Sequence, residues 1–180
     1  MSTLTIAITV IWVVFWIYWL ISAAGAKRSS SRRRTRPPGL FIAILVLLVL
    51  HAFKLGSLAV DDPAVQIVGA ILFLAGLGLA VWARIYLGRN WGMPMTQKHE
   101  PELVTSGPYR YVRHPIYSGF LLATLGTALA TSLYWLLGVV ILGVYFIHSA
   151  MVEEKLMTAS FPAAYPGYKT RTKMLIPFVL

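Results

Sequence analysis

Two stretches of this chain hold most of the groups able to do chemistry. Residues 88–115 read GRNWGMPMTQKHEPELVTSGPYRYVRHP, and with Tyr117 just beyond they set Tyr109, Tyr111 and Tyr117 around Arg110, Arg113 and His114. Gly107-Pro108 is a turn signal, and Pro94, Pro101 and Pro115 prevent one continuous helix through the stretch. The second concentration is Glu153-Glu154, followed by Leu156, Phe161, Tyr165, Tyr168 and Arg171. Cations interleaved with aromatic rings have two uses. They line binding loops, and they anchor helices at a membrane interface, where Tyr and Trp settle and Arg fixes helix ends. Two carboxylates at the C-terminal end of a helix oppose its dipole, which argues for a purpose, with an ordinary solvated helix end as the alternative. The absence of Cys excludes disulfides, thiolate nucleophiles and Cys-based metal sites. The four histidines show no HExxH or other paired-ligand spacing, so no metal site is expected.

The elements that must position these groups are membrane helices. Of the 180 residues 58% are hydrophobic and 12% charged, more apolar surface than a water-soluble domain of this length can hide. With about 20 apolar residues needed per crossing, the expected spans are about 4–24, 40–60, 64–87, 116–130 and 133–151, an all-α polytopic bundle of about five transmembrane helices. The fourth is short for a full crossing, and a tight turn at Thr131-Ser132 makes the last two a helical hairpin. A cleavable signal peptide at the N-terminus fits poorly, because the basic cluster follows the apolar run. Five crossings place fifteen of the sixteen Lys and Arg on one face, leaving only Lys54, while Asp61 and Asp62 lie opposite. Positive residues favour the cytoplasm, so the N-terminus is expected outside and the C-terminus inside. The run SSSRRRTR at 29–36 is then a topology signal near anionic headgroups, not a nucleic-acid arm, and no nucleic-acid partner is expected.

The run from Leu103 to Phe120, LVTSGPYRYVRHPIYSGF, followed later by EEKLM and spaced Phe, Tyr, Tyr, Arg and LIP, resembles the isoprenylcysteine carboxyl methyltransferase family, a group related to phospholipid N-methyltransferases. The resemblance spans roughly residues 70–178, with spans three to five, loop 88–115 and tail 152–178 as the core of a single membrane domain, 1–180. It implies methyl transfer from S-adenosylmethionine at the cytoplasmic face, with the cofactor between loop and tail. By similarity, Glu102, Leu103, Val104, Tyr109, His114, Pro115, Ile116 and Tyr117 would border the cofactor, and Glu153 would close over it. The chemistry suits that assignment: tyrosine faces and a carboxylate favour a sulfonium, and aromatic and aliphatic walls suit an adenine ring.

One departure from the pattern concerns the acceptor. The family usually carries an Arg four residues before the first Glu of the tail pair; Ser149 stands there, beside His148. A Ser cannot neutralise a carboxylate as Arg does, which puts a prenylcysteine carboxylate acceptor in doubt. His148 is the candidate replacement, as neutral base or as cation, with a structural His as the alternative; Arg84 and Arg89 are further candidate cations, against simple snorkelling. The expected partners are the lipid bilayer and a lipophilic or small-molecule methyl acceptor. A bacterial or archaeal inner membrane is expected over the endoplasmic reticulum, for lack of a long luminal extension. An NADPH-dependent sterol-type reductase, a phospholipid or thiol methyltransferase, and a non-catalytic scaffold are the competing readings. Gly76-Leu77-Gly78 inside an apolar span points to close helix packing, and His51 and Lys54 are intramembrane ionisable groups without an assigned role.

Overall fold

Lipid offers no hydrogen bonds to a bare backbone, so long apolar runs must close their own as helices. The computed structural model describes residues 2–23, 58–91 and 102–177 and contains five helices there: α1 Thr3–Ala23, α2 Pro63–Leu87, α3 Pro115–Ala130, α4 Trp135–Ser160 and α5 Tyr165–Arg171. Among the described residues there is no strand, only two isolated bridges. Three helices, α1, α2 and α4, are long and apolar enough to cross a membrane. At 16 residues α3 is about 24 Å long, short of a hydrocarbon core of about 30 Å. Large apolar side chains on the outer faces of α1, α2 and α4, such as Val14, Leu20, Ile67, Ile71, Val140 and Val144, are exposed, as lipid contact requires. The expected second span and basic cluster, with His51 and Lys54, lie outside the described residues, apart from residues 58–60.

The described bundle is organised around α2 and α3, whose contact is the most extensive between any two described helices. Four glycines make it: Gly69 and Gly76 on α2 lie against the backbone of α3, and Gly119 and Gly126 on α3 lie against that of α2. Ala80 and Ala123 fill the same seam and are wholly buried. Small residues let helices approach until backbones touch, the main source of packing energy where lipid removes the hydrophobic one. Of the expected GxG pair only Gly76 packs this way; Gly78 faces open space. Helix α1 adds an aromatic layer, with Trp12, Phe15 and Trp19 around Phe120 and the Trp12 indole donating to Thr127 Oγ1 at 3.1 Å.

The two ends of the bundle differ. At one, Asp62 caps α2 by accepting from Ala64 N at 2.8 Å, and Ala59 bridges Ser132 in the α3–α4 turn. At the other, α1 ends where Ser22 O meets Arg84, and the loop before α3 meets the tail. Thus α1 ends at the site end and α2 begins at the opposite one. All eight described Lys and Arg belong to the site end: Arg84, Arg89, Arg110, Arg113, Lys155, Lys169, Arg171 and Lys173.

Helix α4 departs from expectation. The fifth span was expected to stop at 151 with Glu153-Glu154 beginning a tail, but α4 continues to Ser160. No Gly or Pro interrupts residues 144–161, and Glu, Lys, Leu, Met and Ala propagate a helix until Phe161-Pro162 ends it. The two carboxylates therefore project from a rigid helix, more than a turn before its end, where the dipole penalty is small.

Candidate active site

The loop before α3 is built by one glycine and one proline. Gly107 has φ +59, and a Cβ there would strike the Tyr86 ring. The following turn, Gly107–Arg110, buries Tyr109, whose carbonyl accepts from Tyr168 Oη at 2.6 Å. Pro115 then opens α3; fully buried and lacking an N–H, it suits the first helical position. The backbone N–H groups just before it go to the tail: Arg113 N donates to Lys173 O at 2.8 Å, and His114 N to Met174 O at 3.1 Å. Ser118 Oγ donates to Leu175 O at 2.5 Å. The tail past α5 is thereby laid along the RHP block.

Adjacent residues of that block then meet adjacent residues of α4. Tyr117 Oη donates to Glu153 Oε1 at 2.5 Å across 36 residues of sequence. His114 Nδ1 faces Glu153 Oε2 at 3.5 Å, an ion-pair rather than a hydrogen-bond distance. The His114 ring stacks on Tyr117 at 5.4 Å, and Tyr117 on Phe146 of α4 at 4.4 Å, a column of three nearly parallel rings. Next to this, Arg113 Nε donates to Glu154 Oε1 at 2.6 Å, and Lys169 Nζ reaches Glu154 Oε2 at 2.7 Å. The Arg113 Nη1 group donates to the carbonyls of Lys169 and Thr172. One pair thus faces the aromatic column while the other binds the tail to α4, and His114 Nε2, 3.7 Å from Glu154 Oε1, links the two.

Removing the second pair has a defined cost. Arg113→Gln leaves the buried Glu154 with the half-exposed Lys169 and with His114 Nε2 at 3.7 Å, and frees two tail carbonyls. A loss of about 2–3 kcal/mol is expected. It would be read as a lower melting temperature in detergent together with faster tryptic cleavage within residues 169–173; an unchanged cleavage rate would show that the tail is held by other means.

His114 carries a pH signature. Burial alone disfavours its charged form, but the carboxylates of Glu153 and Glu154 outweigh burial and raise its pKa above the ordinary 6.5. Folding therefore favours the protonated ring, and the stability this adds is complete below 6.5 and lost as pH rises through the raised value. Melting temperatures from about pH 6 to about pH 9 are expected to decline more steeply for the native chain than for His114→Gln. Parallel slopes would refute a raised His114.

Of the residues expected at the site, Tyr109, Pro115, Ile116 and Tyr117 are buried at the start of α3 or just before it, His114 is largely covered, and Glu153 faces His114 and Tyr117. Leu103 and Val104 are half-buried, Val104 against the core cluster. Glu102 is exposed and accepts from Asn90 Nδ2 at 2.8 Å. His148 stands apart: five residues before Glu153, it points about 140° away around α4, exposed, in the outer groove with Val140, Ile141, Val144 and Tyr145. That groove adjoins a cleft of about 610 Å³ lined by His148, Met151, Glu154, Thr158, Lys169 and Met174. Ser149 is wholly buried and its hydroxyl donates to Tyr145 O at 2.8 Å within the helix, so it opens into neither. Phe146 and the Arg113–Glu154–Lys169 network were not singled out beforehand; the one cue was that RH and EE are both adjacent pairs. Among the described residues no group of three or more His, Asp or Glu is arranged so that it could hold a metal ion.

The chain matches the phospholipid methyltransferase family over residues 64–164. It is 28% identical to the protein-S-isoprenylcysteine O-methyltransferase of Saccharomyces cerevisiae over 130 residues, covering 70% of this chain and 54% of the yeast protein. It is 28% identical over 157 residues to a cobalt-zinc-cadmium resistance protein of Cupriavidus metallidurans, covering 86% of this chain and 70% of that one. With methanethiol S-methyltransferase 1 of Bradyrhizobium diazoefficiens it shares 35% over 128 residues, 66% of this chain and 45% of that enzyme. The chain thus spans about half to seven-tenths of the length of these curated relatives.

Proposed function

The chain belongs to the phospholipid methyltransferase family of integral membrane proteins, and from that premise we propose that it transfers a methyl group from S-adenosylmethionine to a lipophilic or small acceptor at the cytoplasmic membrane face. The observation that carries this reading is the convergence of His114, Tyr117 and Glu153, two of them from the RHP-Y block and one from the EE pair, with both rings part of the stacked aromatic column. The donor set fits the cofactor on an observation independent of resemblance. His114 Nε2 is buried without a hydrogen-bond partner, 3.7 Å from Glu154, and is an unmet polar atom that a nucleoside hydroxyl or ring nitrogen can meet, while the Glu153 carboxylate and the Tyr117 face beside the ring favour a sulfonium.

When bound, S-adenosylmethionine supplies an electrophilic methyl group on a positively charged sulfur. The chain's own part is binding, orientation and exclusion of water. Glu153 contributes the negative charge, held in place by Tyr117 and His114. Tyr109, Pro115 and Ile116 contribute apolar wall, and the Arg113–Glu154–Lys169 network keeps the tail over the loop. The segregation of all eight described cations to the site end supports a cytoplasmic site. The methyltransferase core is residues 70–178 of a single membrane domain.

For the acceptor, the wholly buried Ser149 puts no cation at its position, which favours an acceptor other than an isoprenylcysteine carboxylate. His148 is the proposed acceptor-side residue, since it joins a wholly apolar groove to a cleft carrying Lys169. Calorimetry in mild detergent tests the first claim: micromolar binding of S-adenosylmethionine and S-adenosylhomocysteine, lost in Glu153→Ala with His114→Ala, is expected. Labelled-methyl transfer to alkyl thiols, prenylcysteines and phospholipids then sorts the acceptors. Binding of reduced nicotinamide with none of either sulfur nucleoside would replace this reading with that of a reductase.

A further inference from the structure

The site end of α2 holds a second group of buried polar side chains that the aromatic column does not use. Arg84 is 6% exposed and held on both sides of its guanidinium: Nη1 donates to Gly88 O and Nη2 to Ser22 O, each at 2.6 Å. The cation lies 4.8 Å from the centre of the Trp91 ring. Asn90, 7% exposed, closes the short turn Gly88–Asn90 and donates through Nδ2 to Glu102 at 2.8 Å. Helix capping and the tie to α1 account for these bonds. They leave two atoms unaccounted for, because Arg84 Nε and Asn90 Oδ1 are both buried without a hydrogen-bond partner. An unmet buried polar atom is costly, more so when it is charged, so two within seven residues of sequence call for a ligand that meets them.

The two orphans are of opposite kind. One is a donor on a cation, which asks for a carboxylate; the other is an acceptor whose own amide holds a carboxylate, which together ask for an ammonium. Both groups occur side by side in an amino-acid zwitterion. We infer that Arg84, Asn90 and Glu102 form the subsite for the amino-acid end of the methyl donor, Arg84 taking the α-carboxylate and Asn90 with Glu102 the α-ammonium. This rests on the methyltransferase reading and adds to it two residues and a division of labour. The column at His114 is left with the sulfur and nucleoside side.

Tyr109 joins the two groups. Its hydroxyl is pushed up chiefly by burial, then by the charges of Tyr168 and Glu153, and is pulled back by Arg84, so it lies within electrostatic reach of both. Leu103 and Val104 follow Glu102 directly and continue into the Gly107–Arg110 turn that carries Tyr109. The chain thus runs without interruption from the proposed zwitterion subsite to the column.

The test compares two probes on the full chain in detergent, S-adenosylhomocysteine, which has the amino-acid end, and 5′-methylthioadenosine, which lacks it. Asn90→Ala is expected to weaken S-adenosylhomocysteine about tenfold while changing 5′-methylthioadenosine by less than about twofold, and Arg84→Lys to do the same by removing the Nε donor and keeping the charge. Equal losses for both probes, or no loss for either, would overturn the assignment. Should Arg84→Lys fail to fold by circular dichroism, Asn90→Ala, which lies beyond the helix, decides alone. If the folded native chain binds neither probe, the methyltransferase reading itself falls, an outcome distinct from a native chain that binds both and a variant that does not discriminate.

Discussion

Glu153→Gln is expected to weaken S-adenosylmethionine about tenfold or more and S-adenosylhomocysteine distinctly less. The two ligands differ by a methyl group and a positive charge on sulfur, so the difference between their losses isolates the electrostatic part. Gln keeps the size of Glu153 and can still accept from Tyr117, which now makes its bond at 2.5 Å to a carboxylate. What disappears is the negative charge that faces His114 at 3.5 Å. The same change removes the first of the two carboxylates that raise His114, so His114 should titrate lower and the pH slope of stability should lessen. Isothermal calorimetry at constant pH gives both affinities. Equal losses for the charged and uncharged ligands would mean that Glu153 shapes the site without acting on the cation.

The second large effect belongs to packing. Gly76→Val is expected to destabilise the bundle by about 3 kcal/mol or more, through overpacking that no rotamer relieves. A Cβ on Gly76 would meet Ala123 N, Gly119 O and Ala123 Cα, all backbone, so the helices would have to part. Because α2 carries Arg84 and α3 begins at His114-Pro115, parting them also separates the two halves of the site. Gly78→Ala is the control on the same helix: nothing lies within 4 Å of its Cβ, and Ala favours the helix, so no loss is expected. Melting temperatures of the two variants in one detergent, together with S-adenosylhomocysteine affinity, separate the cases. Similar melting for both would show that the α2–α3 seam is looser than its backbone contacts imply.

Much of this protein can be derived from its residues in order. Apolar runs long enough to cross lipid must be helices, because their backbone has no other partner, and this located α1, α2 and α3 to within a residue or two. Cations set between apolar runs are segregated by the same count of crossings, and the described ones do lie at one end. The block around RHP and the EE pair carried the resemblance to the family, and the family match over residues 64–164 agrees with it. What sequence order could not convey is which member of each adjacent pair does what. His114 and Arg113 differ by one place, as do Glu153 and Glu154, yet the non-helical backbone before α3 and the rotation of about 100° per residue along α4 bring His114 and Glu153 to the aromatic column and Arg113 and Glu154 to the tail. Rotation also carries His148 outward and Ser149 inward, a distinction invisible in two consecutive letters. Hydropathy falls at Glu153 while helix propensity does not, so α4 runs past the apolar stretch to Ser160, following its backbone hydrogen bonds. Finally, only the tertiary structure shows that Arg84 and Asn90 are buried with bonds unmade, because burial is a property of what surrounds a residue and not of its place in the chain.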